Sequence, residues 1–285
     1  MKKIGLIVVF LITANITYSQ NLFDLLFPKW EDGIMPGIDF HLQNLITTEN
    51  DNRNIEISPS IAGLKTFDNI GILDSFGVFA EIGSAINTYP EFIPNFYFDI
   101  KSTVFIGINE KIKANVLLGS KSSFSKNFAF LSEQINLNLC LSGNSENSFL
   151  YYIGLDNDID FNIEDDTYLY ELNPYMIFKT VRHINMGLKY NVISSYTTVE
   201  SNTGEGSILR WIKLKAEYEH ERSALGLELT VSPIRILDTI LTITPYGHIK
   251  IGNIYGFIDF EFSLIKDGGI SFGANIGLKY NVKKL

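Results

Sequence analysis

Cysteine is nearly absent: the 285-residue chain carries one, Cys140. A single thiol excludes an intramolecular disulfide and a multi-cysteine zinc site. Charge is scarce as well. Asp, Glu, Lys and Arg make up 19% of the chain, against ~25% in ordinary soluble domains. The charge that is present leans acidic, with 23 basic and 32 acidic residues and a net charge of −9. The basic face that a general nucleic-acid binder needs is therefore missing. Long apolar runs are missing too. Beyond the first 20 residues nothing approaches the ~18 consecutive apolar residues of a membrane-spanning helix. Yet hydrophobic residues are 46% of the chain and its mean hydropathy is +0.11. Disorder is excluded by the 13% aromatic content and the wealth of β-branched residues.

What is present begins with an address. Lys2 and Lys3 precede an apolar stretch from Ile4 to Ile12 broken only by Gly5, and Thr17 and Ser19 are small residues suited to a cut before Gln20. This pattern reads as a secretory signal peptide over 1–19. No cysteine follows it, which speaks against a lipid-anchored lipoprotein. A leader over 20–37 comes next, with Leu22 to Phe27 as a possible short helix, and the rest of the chain, 38–285, reads as one domain.

That domain alternates with period two. From Ser271 to Val282 the residues Phe272, Ala274, Ile276, Leu278, Tyr280 and Val282 fall on one face, opposite Ser271, Gly273, Asn275, Gly277, Lys279 and Asn281. Successive side chains of a strand point to opposite faces, so this is a strand with one apolar and one polar side. About fourteen such segments follow one another, most of them 9 to 13 residues long. Soluble strands peak at about 5–6 residues, whereas a tilted membrane strand needs about 9–11. Connections after even-numbered segments are mostly tight and those after odd-numbered ones mostly longer, with 67–75 as an exception. Pro59, Pro174 and Pro245 fall inside proposed strands. Proline cannot donate to a ladder, so bulges or wrong boundaries are expected there, and twelve strands is the alternative count.

Alternation alone also suits a soluble β-sandwich. Strand length, a charged polar face and tyrosines near strand ends (Tyr168, Tyr170, Tyr196, Tyr218 and Tyr280) favour a barrel whose apolar face meets lipid. With its signal peptide, alternating strands and terminal strand from Ile270 to Val282, the mature chain resembles the outer-membrane β-barrel proteins of Gram-negative bacteria. The resemblance lies in pattern and not in a specific motif. It implies an all-β, antiparallel, up-and-down transmembrane barrel in the cell outer membrane, porin-like, with outer-membrane lipids, the barrel-assembly machinery and small solutes as partners. The end of the chain, Tyr280-Asn281-Val282-Lys283-Lys284-Leu285, departs from the aromatic final residue common in that class.

For chemistry, the four histidines His41, His183, His220 and His248 have no His-x-Ser pair or Gly-x-Ser-x-Gly elbow beside them, so no catalytic residue and no cofactor is expected. Asp156, Asp158 and Asp160 share a strand face with carboxylates about 7 Å apart, a candidate cation site. It is not a calcium loop, because Phe161 stands at the sixth position where that loop requires glycine. The ordinary reading is a solvated acidic strand end. The candidate lumen lining is Glu81, Asp99, Lys101, Lys113, Lys189, Lys213, Lys215, Glu217, Glu219, Glu228, His248, Lys250, Asp259, Glu261 and Lys279. Such mixed charge either lines an aqueous channel or fills a narrow barrel with salt bridges. The expectation is a channel for passive movement of small solutes. A non-conducting structural or assembly barrel is the alternative, and an outer-membrane hydrolase comes third.

Overall fold

The computed structural model describes residues 33–46, 51–70, 73–89, 92–108, 111–145, 149–162, 167–180, 183–198, 205–208, 211–220, 222–232, 239–265 and 269–282. The signal peptide and the possible helix from Leu22 to Phe27 lie outside the described residues. Long alternating segments pair with their neighbours as β1 (Gly33–Ile46), β2 (Asp51–Ile70), β3 (Leu73–Tyr89), β4 (Ile93–Gly107), β5 (Ile112–Phe124), β6 (Phe130–Ser145), β7 (Phe149–Asn162) and β8 (Thr167–Thr180). There follow β9 (Ile184–Tyr190), β10 (Ile193–Thr198), β11 (Glu205–Ile208), β12 (Ile212–His220), β13 (Ser223–Val231), β14 (Thr239–Ile251), β15 (Ile254–Ile265) and β16 (Ile270–Tyr280).

β9 and β10 are two halves of one strand, because both pair with β8. β11 and β12 are likewise two halves, paired to β10 and β9. With β1 hydrogen-bonded to β16, the result is a closed antiparallel barrel of fourteen strands. Closure pairs every strand edge, which is what a sheet inside hydrocarbon requires. The register of the broken pair slips by one residue between Tyr190↔Ile212 and Ile193↔Ile208, as a bulge does.

The strands reach further than the apolar alternation. β1 and β2 stay paired out to Ile46↔Asp51, and β2 and β3 to Ile70↔Leu73. Backbone pairing does not need apolar side chains, so alternation marks the lipid band and not the ends of the ladder. The expected long connections are therefore shorter, and in place of the 67–75 exception only two residues separate Ile70 from Leu73. β14 and β15 also join through two residues, with Gly252 at φ 60, the positive φ that such a hairpin demands.

The prolines leave both the count and the register intact. The β2–β3 ladder skips Ser58 and Pro59 and resumes in the same register, and the β14–β15 ladder does the same at Thr244 and Pro245. Pro174 faces the break between β9 and β10. Each proline thus sits where a neighbour needs no N–H from it.

Outward positions are apolar around the whole barrel, with Phe40, Ile61, Ile82, Leu118, Leu141, Ile153, Met186, Leu225, Ile251 and Leu278 among the large exposed side chains. A continuous apolar surface of this size marks a lipid contact in a folded protein. Tyr218 and Tyr280 are exposed on it near the rim that carries both ends of the barrel. Tyr151 lies on the same surface with its ring over Gly143. This end is the terminal rim, and the opposite end the distal rim.

Candidate functional site

All fifteen candidate lumen residues point to the inner face, as the alternation and the cross-strand pairs place them. The interior has three levels over β1–β9: an apolar cluster, a packed polar layer and, towards the distal rim, partly exposed polar groups such as Lys121, Ser132 and Asp160. Towards the terminal rim the inner face carries an apolar cluster: Met35, Leu64, Phe79, Phe105, Leu117 and Ile177 are all buried and belong to one cluster with Tyr152, Tyr175 and Cys140, interleaved with the buried Ser75, Thr103, Asn115 and Ser142. The wall closes this end with its own side chains. The sequence shows these residues as breaks in the polar face of each strand, a signal that the period-two reading passes over.

Above that plug lies a packed polar layer. Asp156 is 0% exposed. It accepts from Lys189 Nζ at 2.8 Å, Asn136 Nδ2 at 2.9 Å and Asn138 Nδ2 at 3.1 Å. Asp158 accepts from Asn136 at 2.6 Å and Asn173 at 3.3 Å. Asn191 donates to Asn173 at 2.8 Å, and Tyr175 Oη to Asn138 at 2.9 Å. Lys189 reaches across β8 to make its ion pair, so three strands are tied together. On the other side of this layer Lys101 pairs with Asp99 at 2.9 Å and Lys279 with Glu81 at 3.7 Å. A buried charge persists only when it is paired and hydrogen-bonded, and around Asp156 the network supplies both.

This geometry relocates the acidic triplet. Asp156, Asp158 and Asp160 do share one face of β7, but amides and an ammonium occupy the oxygens of the first two. Among the described residues no group of three or more His, Cys, Asp or Glu side chains is placed to hold a metal ion. Sequence spacing gave the shared face; the amides from β6 and β8 come from register.

Three inner tyrosines repeat one device. Tyr97, Tyr175 and Tyr246 each stand directly opposite a glycine, at Gly83, Gly154 and Gly226. A Cβ at any of the three glycines would overlap the ring. The ring lies flat over the glycine, and its hydroxyl reaches Glu81, Asn138 or Glu217. Lysines cover two of the rings, Lys121 over Tyr97 at 4.7 Å and Lys215 over Tyr246 at 4.9 Å, within cation–π range. None of these tyrosines is singled out by sequence alone, because tyrosine reads as a girdle residue until its face is known.

The wall from β13 to β15 differs. Its inner residues Gly226, Glu228, Thr230, Thr242, Thr244, Tyr246, His248, Lys250, Phe257, Asp259 and Glu261 all keep partial solvent contact, while Ala224, Tyr255 and Ser263 are buried. Lys213 and Glu228 pair at 2.9 Å with about a fifth of each side chain exposed. Lys215 is 3.9 Å from the same glutamate, and Lys179 is 3.9 Å from Glu219. Away from this wall, Lys113 on β5 pairs with Asp74 on β3. Asp259 accepts from Asn275 at 3.4 Å and Glu261 from Ser263 at 3.1 Å, neutral donors in place of lysines. Lys250 stands over the Tyr255 ring at 5.0 Å. A strip of partly exposed, mostly polar groups thus runs along the inner face of these strands. His248 lies on it, in edge contact with Tyr246 at 5.4 Å. His183 and His220 sit 6.4 Å apart at the terminal rim, and His41 is on the inner face of β1.

No family model and no curated relative matches the chain. Among solved structures, the Acinetobacter baumannii OccAB4 structure is similar over 88% of this chain and 98% of its own, at 7% identity and a TM-score of 0.45. The CymD monoaromatic hydrocarbon channel is similar over 90% of each chain, at 10% identity and a TM-score of 0.48. A mutant of the Rh. blastica porin is similar over 87% of this chain and 99% of its own, at 8% identity and a TM-score of 0.41.

Proposed function

We propose that this protein is an integral outer-membrane barrel that passes small polar solutes along a narrow path on the inner face of β13–β15, with the terminal rim in the periplasm. The partly exposed polar strip on those three strands carries the reading, because at mid-height the inner face of β1–β9 is packed. The apolar outer wall and the closed ladder support insertion into lipid. The signal peptide supports export, and outer-membrane lipids and the barrel-assembly machinery are the partners that this location entails. The role is transport, and no enzymatic step is assigned. Purified protein in planar bilayers is expected to give discrete steps of small conductance. A folded, inserted protein that gives no steps would reject the path.

A second reading is favoured by one observation. The apolar inner cluster around Phe79, Phe105 and Leu117 closes the terminal end of β1–β8, as a non-conducting structural or assembly barrel would be closed. The same bilayer experiment separates the two.

A further inference from the structure

Two adjoining cavities of about 280 and 290 Å³ lie along the inner face of β2–β8 near the distal rim. Lys121, Ser123 and Ser132 line both. Lys121 is directly opposite Asp99 in the β4–β5 ladder, but Asp99 is taken by Lys101. The Lys121 ammonium lies instead over the Tyr97 ring. Deeper in the barrel Lys101, Lys189 and Lys279 each have a carboxylate within 4 Å. Among the described residues, Lys121 has none. Each cavity then adds a carboxylate at a distance from it, Glu56 in one and Asp160 in the other. Glu133 also borders the second, but its carboxylate accepts from Ser120 and Ser122 on the outer face of the wall.

We infer that this double cavity binds a small zwitterion, a free amino acid or a close analogue. The solute carboxylate meets Lys121, and its ammonium turns to Glu56 or Asp160 on either side. The charge arrangement selects this class. A simple anion gains Lys121 but faces two carboxylates, and a simple cation leaves Lys121 uncompensated. The volume lies at the low end of the ~300–1,000 Å³ usual for small-molecule sites, which suits one amino acid. As a capture site for cargo this rests on the solute-path reading; as a binding site it is tested without it.

The test is calorimetric titration of the full, detergent-solubilised protein with L-glutamine, with glutaramate (the same molecule without the ammonium) and with 4-aminobutanamide (without the carboxylate). Saturable binding of L-glutamine is expected, with both single-charge analogues at least several-fold weaker. Lys121→Met is expected to weaken glutamine binding about tenfold or more, as loss of a charged hydrogen-bond donor does, while Lys121→Arg retains it. Variants are first confirmed folded by their faster migration when unheated. The three-probe comparison on the unaltered protein needs no variant. Absence of saturable glutamine binding overturns the inference, and so does glutaramate binding as tightly as glutamine. Glutamine binding without bilayer current rejects only the path, and current without glutamine binding rejects only the site.

Discussion

The wall from β3 to β9 and the wall from β13 to β15 start from the same alternation of apolar and polar residues, yet their inner faces end in different states. On the first, charges in the middle layer pair two or three strands away, as Lys189 does with Asp156 and Lys279 with Glu81, and those groups are buried; only towards the distal rim do polar groups such as Lys121 and Asp160 meet water. On the second, the partners are adjacent and partly exposed, as with Lys213 and Glu228. The difference lies in what stands between the charges. Asparagines at 136, 138 and 173 donate to the carboxylates of the first wall, and Asn191 donates to Asn173, whereas threonines at 230, 242 and 244 face inward in the second. An amide donates and accepts far from its backbone; a threonine hydroxyl stays close to its strand. Bridged charges close an interior, and unbridged ones leave a path.

The largest effect is expected from breaking one pair in each wall. Asp156→Ala leaves the Lys189 ammonium buried without its partner, and removing one member of a buried pair costs ~3–5 kcal/mol. Glu228→Ala unpairs Lys213 where water reaches it, a loss of at most ~1 kcal/mol. Denaturant unfolding of the barrel in lipid vesicles measures both. Combining Asp156→Ala with Lys189→Met should recover much of the loss, because no charge is then stranded. Equal costs for the two single variants would dissolve the distinction between the walls.

The glycines beneath the tyrosines give a smaller test of the same contrast. Gly154→Val drives the Tyr175 ring from a place where it is 3% exposed, at ~2–3 kcal/mol from overpacking with loss of its bond to Asn138. Gly226→Val displaces Tyr246 towards the open side, at about 1 kcal/mol, the lower end of the same range. The temperature at which the folded band is lost on a gel reads the order of the two. A larger loss for Gly226→Val would mean that β13 is as tightly packed as β7.

Much of this was legible in the sequence. Side-chain parity alone assigned Glu81, Lys189, Lys215 and Lys279 to one face and Phe272, Ile276 and Leu278 to the other, and strand length indicated the barrel. Parity does not say which inner groups meet. Lys189 finds Asp156 across an intervening strand because of tilt and register, and neither is written locally. Apolar inner residues such as Leu64 and Phe105 were hidden for a related reason. A single departure from alternation reads as noise until its neighbours on other strands fall at the same height. Lys121 shares the parity of Lys113 but lies at the strand end, where alternation fades into the mouth.

The smallest effect tests the path itself. Asp259 and Glu261 face the open strip and accept hydrogen bonds from neutral Asn275 and Ser263, so their charge acts on whatever passes. A unit charge about 8 Å from a permeating ion, in water-like surroundings, is worth ~0.5 kcal/mol, about a twofold change in ion preference. Asp259→Asn with Glu261→Gln should therefore lower cation preference a few-fold and move the reversal potential in a potassium chloride gradient towards that of a less selective pore. Asp156→Asn should leave it in place, because that carboxylate is sealed in its cage of amides. Raising ionic strength should shrink the first difference, since exposed charges are screened within about 10 Å at 0.1 M salt. If Asp156→Asn shifts the potential and the pair on β15 does not, ions travel beside β7 and the two walls exchange roles.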